Sequence, residues 1–94
     1  MVSEEASRLH FSSVVIDTHS DSLAWPTRHG VDIGQPQENT HMDLGRMKEG
    51  NQNVQFFACF ASPKWIAEKK VVQVTLDYMD SFHTLMQSYP DQIG

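Results

Sequence analysis

The stretch "VVIDTHSD", Val14 to Asp21, decides how the rest of the chain is read. Three branched apolar residues suit a short strand buried on both faces better than an alternating, half-exposed one. They run directly into Asp17, Thr18, His19, Ser20 and Asp21, so the strand, placed at Val14 to Asp17, ends in side chains that bind metals. Alternate residues of an extended chain point the same way, which groups Asp17, His19 and Asp21 and turns Thr18 and Ser20 aside. An imidazole nitrogen and a carboxylate oxygen can each approach a divalent ion at about 2.0 to 2.2 Å, so His19 and Asp21 are the candidate metal ligands. Asp17, one step deeper, is placed to orient the His19 ring by accepting its second N–H.

A His-x-Asp pair arises often by chance, and polar residues ending a strand are its plain alternative. Placement just after an apolar strand favours the metal reading, because sites in β/α folds gather at the C-terminal ends of strands.

The remaining sequence supplies the context. Ser22 to Met42, punctuated by Pro26, Gly30, Gly34 and Pro36, reads as a long surface loop. Asp43 can cap the free amides of "LGRMKE" and Gly50 follows as a stop, so Asp43 to Glu49 reads as a short capped helix. "VQFFACFA", residues 54 to 61, reads as a second central strand. From Ser62 and Pro63 onward, Val72, Leu76, Met79, Phe82 and Met86 recur at spacings of three and four, which predicts one long amphipathic helix ending at Pro90. Met1 to Ser13 is a lead-in with a helical turn from Glu4 to Leu9. Strand, loop with short helix, strand and long helix is the order of parallel β/α units, an α/β fold.

Composition limits the partners. The chain has 94 residues, with 12 Asp and Glu against 7 Lys and Arg and a net charge of −5, which argues against nucleic-acid binding. No stretch approaches a membrane span, and the acidic start "MVSEEASRLHFSS" is unlike a secretory signal. The single Cys59 provides neither a disulfide framework nor a thiolate metal site, so the expected setting is cytoplasmic. No nucleophile elbow, phosphate-binding glycine loop, His-Glu-x-x-His helix or Cys-x-x-Cys pair is present. Two strands and one long helix do not close a core. Residues 1–94 are therefore expected to be the N-terminal part of a larger domain, or else to associate as a homo-oligomer that hides its strand edges.

"VVIDTHSDSLAW" followed by "HMDLGRMKEGNQNVQFFACFASP" resembles the start of the membrane dipeptidase (renal dipeptidase) family of zinc peptidases. There, a strand ending in Asp-x-His-x-Asp precedes a His-x-Asp-(Leu/Ile)-x-Arg segment and a Gln-Phe-(Trp/Phe) strand. The resemblance covers most of the chain from Val14 onward, and "YPDQI" is similar to the end of the family's next helix. It implies a (β/α)8 TIM-type barrel of which this chain holds the first two β/α units. It also implies a two-zinc site hydrolysing dipeptides by a metal-bound hydroxide. His19 and Asp21 match the family residues that bind one zinc, while the bridging glutamate and further histidines belong to later strands, absent here. The isolated chain is accordingly expected to be inactive. The alternative is a non-catalytic, self-associating module derived from that fold.

Other residues are read more plainly. His10, His29, His41 and His83 are taken as solvated or packing histidines, and Arg46 and Lys48 as solvated cations. Trp25 and Trp65 flank loops. Gln55, a lone amide in an apolar strand, must find partners. Where relatives carry "EGGVGAQ" this chain carries "EGNQNVQ", so Asn51, Gln52 and Asn53 stand where a glycine-rich turn is usual.

Overall fold

The structure, a computed structural model, describes residues 1–94. Its elements are α1 (Glu4–Ser12), β1 (Ile16–Ser20), α2 (Ala24–His29), α3 (Leu44–Glu49), β2 (Val54–Phe57), α4 (Lys64–Ala67) and α5 (Val71–Ser88). β1 and β2 pair in parallel, with Ile16 opposite Val54 and Asp17 opposite Gln55. The chain is thus a mixed α/β structure around a two-stranded parallel sheet.

Several elements differ from expectation for identifiable reasons. The lead-in is a nine-residue helix, capped by Ser3, whose Oγ accepts from the Ala6 amide at 3.1 Å, with Glu4 and Glu5 favourably placed in the first turn. Within the expected loop 22–42, Ala24–His29 form α2, and Gly30 is its stop. Pro26 lies in the first turn, where its missing N–H is no loss, and Gly30 closes the helix at φ 63°. The long helix expected from Ser62 is divided in two. Lys69 adopts φ 55°, its amide bonds to the Ile66 carbonyl, and the Lys70 amide bonds to the Trp65 carbonyl. That pair of bonds is a Schellman closure with lysine where glycine is usual, and it ends α4 before α5 begins.

The second strand stops at Phe57 rather than running to Ala61, and the first spans Ile16–Ser20 rather than Val14 to Asp17. Neither strand is buried on both faces. Ile16 is 53% exposed and Phe56 59% exposed, because no helix packs against β1 and the far face of the sheet has no cover. Val14, Ile16, Val54 and Phe56 form that open apolar face.

The core is correspondingly small. One cluster is Leu23, Val74 and Tyr78; the other is Ile33, Leu44 and Leu85. Phe57 packs against both, with its ring centroid 5.9 Å from that of Phe82. The radius of gyration is 15.5 Å, against about 12 Å for a compact chain of this length, so the molecule is elongated and much apolar surface stays in water.

Polar contacts hold the two ends of the β units together. His10 Nε2 donates to the Gly50 carbonyl at 2.6 Å, and Asn51 Nδ2 donates to the carbonyls of His10 and Ser13 at 2.8 and 3.1 Å. Asn51 takes φ 54°, a conformation asparagine tolerates better than most residues, and Asn53 Oδ1 accepts from the Val15 amide at 2.7 Å. In the "GNQN" turn the left-handed position is thus Asn51 rather than a glycine, and the side-chain amides of Asn51 and Asn53 fasten the turn to the end of α1 and the approach to β1. His10, though exposed, thus takes the packing alternative of its expected roles and docks α1 on the Gly50 carbonyl. At the opposite end Tyr89 Oη donates to Asp32 Oδ2 and accepts from Gln35 Nε2, while the Tyr89 ring lies directly over Gly34.

Because Phe57 joins the two clusters and Phe56 faces water, Phe57→Ala should cost about 2 to 3 kcal/mol. That is somewhat below the ~3 to 5 of a fully buried phenylalanine. Phe56→Ala should cost under about 0.5 kcal/mol. Urea unfolding followed by circular dichroism reads both, and equal costs would contradict this packing.

Candidate functional site

β1 carries its polar residues to the C-terminal end of the sheet, where Ser20 lies opposite Phe57 and its carbonyl accepts from the Ala58 amide at 2.8 Å. Between Asp17 and Ser20 the register shifts, so Thr18 and His19 together span what Phe56 alone spans on β2. A bulge of this kind re-aims side chains at a strand end. Asp17 Oδ1 accepts from the His19 backbone N–H at 3.0 Å, an Asx-type contact two residues along. The carboxylate expected to orient the His19 ring instead holds the backbone of the bulge, because the shifted register brings that amide to it.

His19 and Asp21 converge. His19 Nε2 lies 3.3 Å from Asp21 Oδ2, and the two side chains are 69% and 66% exposed. That separation is an ordinary imidazole–carboxylate hydrogen-bond contact, and two donors each about 2.1 Å from one ion at a tetrahedral angle would also stand about 3.4 Å apart. No three His, Cys, Asp or Glu side chains come together closely enough to hold a metal. His19 and Asp21 are thus a pair of candidate donors without a third beside them.

Asp17, His19 and Asp21 line one open depression of ≈ 590 Å³, whose other walls include Trp25, His41 and Gln55. Gln55 Oε1 accepts from Gln52 Nε2, and Gln55 Nε2 donates to the Phe56 carbonyl at 3.1 Å, so the strand amide is satisfied locally beside the site. His41 opens the His-x-Asp-Leu-x-Arg segment and is expected only as a solvated or packing histidine, because Asp43 is taken up as the cap of α3; the structure places His41 on the wall of the depression. His29 ends α2 against the Trp25 ring, and His83 lies on α5 beside Phe82, both apart from the depression.

The loop wall is rigidly made. Asp43 caps α3 as expected, its Oδ1 accepting from the Arg46 amide at 2.9 Å. Its Oδ2 accepts from Arg46 Nε at 2.9 Å and from the Gln37 amide at 3.0 Å. Arg46 also donates from Nη2 to the Thr40 carbonyl at 2.8 Å, so it is a structural clamp, not the solvated cation its exposed short helix suggests. Ser20 Oγ lies 3.7 Å from Met42 Sδ, which ties the loop to the strand end. Backbone hydrogen bonds from Arg46 and Gln37, with the Arg46 guanidinium beside it, hold the Asp43 carboxyl below its ordinary range.

This strand-end geometry is joined by a family match over nearly the whole length. The family model described as Membrane dipeptidase (Peptidase family M19) matches residues 3–94. The chain belongs to the membrane dipeptidase family. No curated protein and no solved structure matches it. Membership of this peptidase family makes the chain kin to hydrolases. No helix is long and apolar enough to cross a membrane.

A carboxyl whose folded pKa is lowered stabilises the fold above its unfolded pKa and loses that contribution as pH falls through the folded value. The thermal midpoint should therefore drop as pH falls below about 4. Asp43→Asn, which keeps a capping oxygen but loses the charge, should start lower at neutral pH and vary less across that window in circular dichroism melts. A parallel pH dependence in the two proteins would contradict the role given to Asp43.

Proposed function

We propose that the chain forms the N-terminal part of a zinc-dependent dipeptidase and provides one arm of its metal centre through His19 and Asp21. The observation that carries this reading is the 3.3 Å approach of His19 Nε2 to Asp21 Oδ2 at the mouth of a depression, in a chain of the membrane dipeptidase family. In the same reading, the two β/α units are the first two of a (β/α)8 barrel. The missing metal donors, including those for a second zinc, then come from strands outside these residues. Bound zinc would polarise the scissile carbonyl and activate water.

The residues at hand have distinct tasks. His19 and Asp21 present an imidazole nitrogen and a carboxylate oxygen to one ion. Asp17 fixes the bulge that carries His19, two residues before Asp21, and the Asp43–Arg46–Thr40 clamp holds the neighbouring wall. An incomplete donor set binds weakly and does not hold a nucleophile and a carbonyl together, so the chain alone is proposed to bind zinc without hydrolysing dipeptides.

A second reading rests on the uncovered apolar sheet face at Ile16 and Phe56, which suits a self-associating, non-catalytic module. Calorimetric zinc titration separates the proposals when run with sedimentation. One weak zinc site, lost in His19→Ala and in Asp21→Ala, with a monomeric chain and no glycylglycine hydrolysis, is expected from the first. Zinc curves unchanged by either substitution would remove the pair from the site, and a stable oligomer without zinc binding would favour the module.

A further inference from the structure

His41 is the part of the depression that the metal reading leaves unused. It is exposed, while its neighbours Thr40 and Met42 are buried, and its imidazole takes no partner from the chain. The backbone that carries it is fixed on both sides. Thr40 Oγ1 donates to the Met42 carbonyl at 2.7 Å, Arg46 Nη2 reaches the Thr40 carbonyl, and Asp43 is locked by Arg46 and Gln37. A segment hydrogen-bonded on both sides thus presents an imidazole without a partner in the chain to the depression lined by His19 and Asp21.

The geometry bounds what that imidazole can do. His41 does not join His19 and Asp21 in a group able to hold one ion, so it is not a third ligand of that centre. Polar neighbours in the depression are already committed. His19 faces Asp21, Ser20 faces Ser22 with 2.7 Å between their oxygens, and the Gln52 and Gln55 amide nitrogens donate within the chain. Trp25 packs into the Ile33 cluster. An imidazole has an N–H in both its neutral and charged forms, so His41 offers a donor at any protonation state. Asp17 and Asp21 place two carboxylates on the strand side of the depression, which disfavours a further carboxylate there, whereas the His41 side offers an imidazole N–H to accept from.

We propose that His41 is a specificity-determining residue, donating a hydrogen bond to the carboxylate of a dipeptide bound against the His19–Asp21 strand end. The proposal deepens the dipeptidase reading and rests on it for the ligand class. A hydrogen bond to a charged acceptor is worth enough to change affinity by about tenfold or more.

The test is imidazole-detected NMR on the full 94-residue chain, first with zinc alone and then with glycylglycine or glycylglycinamide, each with and without zinc. Zinc alone should move the His19 signals and leave those of His41 in place. Glycylglycine should move His41, and the amide, lacking the carboxylate, should bind at least about tenfold more weakly. His41→Leu should erase that preference with the zinc response of His19 intact, and His41→Gln, which keeps a donor, should restore part of it. Equal binding of acid and amide, the same preference in His41→Leu, or no response to glycylglycine with or without zinc would overturn the proposal. Failure of zinc to move His19 counts against the metal reading alone, since the zinc-free comparison still reports on His41.

Discussion

The parallel pairing of β1 with β2 is the constraint on which everything else rests. It holds Ile16 to Ser20 in the sheet and so fixes the strand end at which His19 Nε2 and Asp21 Oδ2 come within 3.3 Å of each other. Had this segment coiled, the same residues would have scattered around a helix. The pairing also places Phe57 where its ring can touch both small clusters of the core, so a single strand supports the packing and the site together.

The bulge between Asp17 and Ser20 refines this arrangement. A regular strand would aim Asp17, His19 and Asp21 alike and leave Asp17 free to serve the imidazole. The extra residue turns the Asp17 carboxylate back onto the His19 amide, where it stiffens the turn that carries the pair. Around it, Arg46 does for the 40–43 loop what Asp17 does for the strand end, binding a carboxylate and a carbonyl at once. Positioning at this site is therefore done by side chains that grip backbone, and the chemistry-bearing groups themselves are left exposed.

How much of this was legible depends on the range of the interactions. Capping by Asp43, the helix 43–49, the order of parallel units and the grouping of His19 with Asp21 follow from local patterns and could be read directly. Family membership was legible from two motifs in order. The bulge was not, because register depends on what β2 offers across the pair. Division of the long helix at Lys69 was hidden, since lysine is an uncommon choice for a left-handed closure and nothing in the apolar spacing marks it. The burial expected from apolar runs failed at Ile16 and Phe56 because composition states a preference for cover and cannot supply the layer that provides it. The placement of His41 beside His19 and Asp21 depends on a loop folding back on a strand end 20 or more residues away, and the Arg46 clamp depends on the turn that brings the Thr40 carbonyl within its reach.

The central claim, that His19 and Asp21 form one metal-facing pair, is tested most directly by titrating the chain with cobalt(II) and following paramagnetic broadening of its side-chain resonances. The account predicts that the His19 imidazole and the Asp21 carboxyl broaden first and together, while His10, held on the Gly50 carbonyl, and His83 stay sharp. Broadening centred on His10 or His83, or on His19 without Asp21, would contradict it.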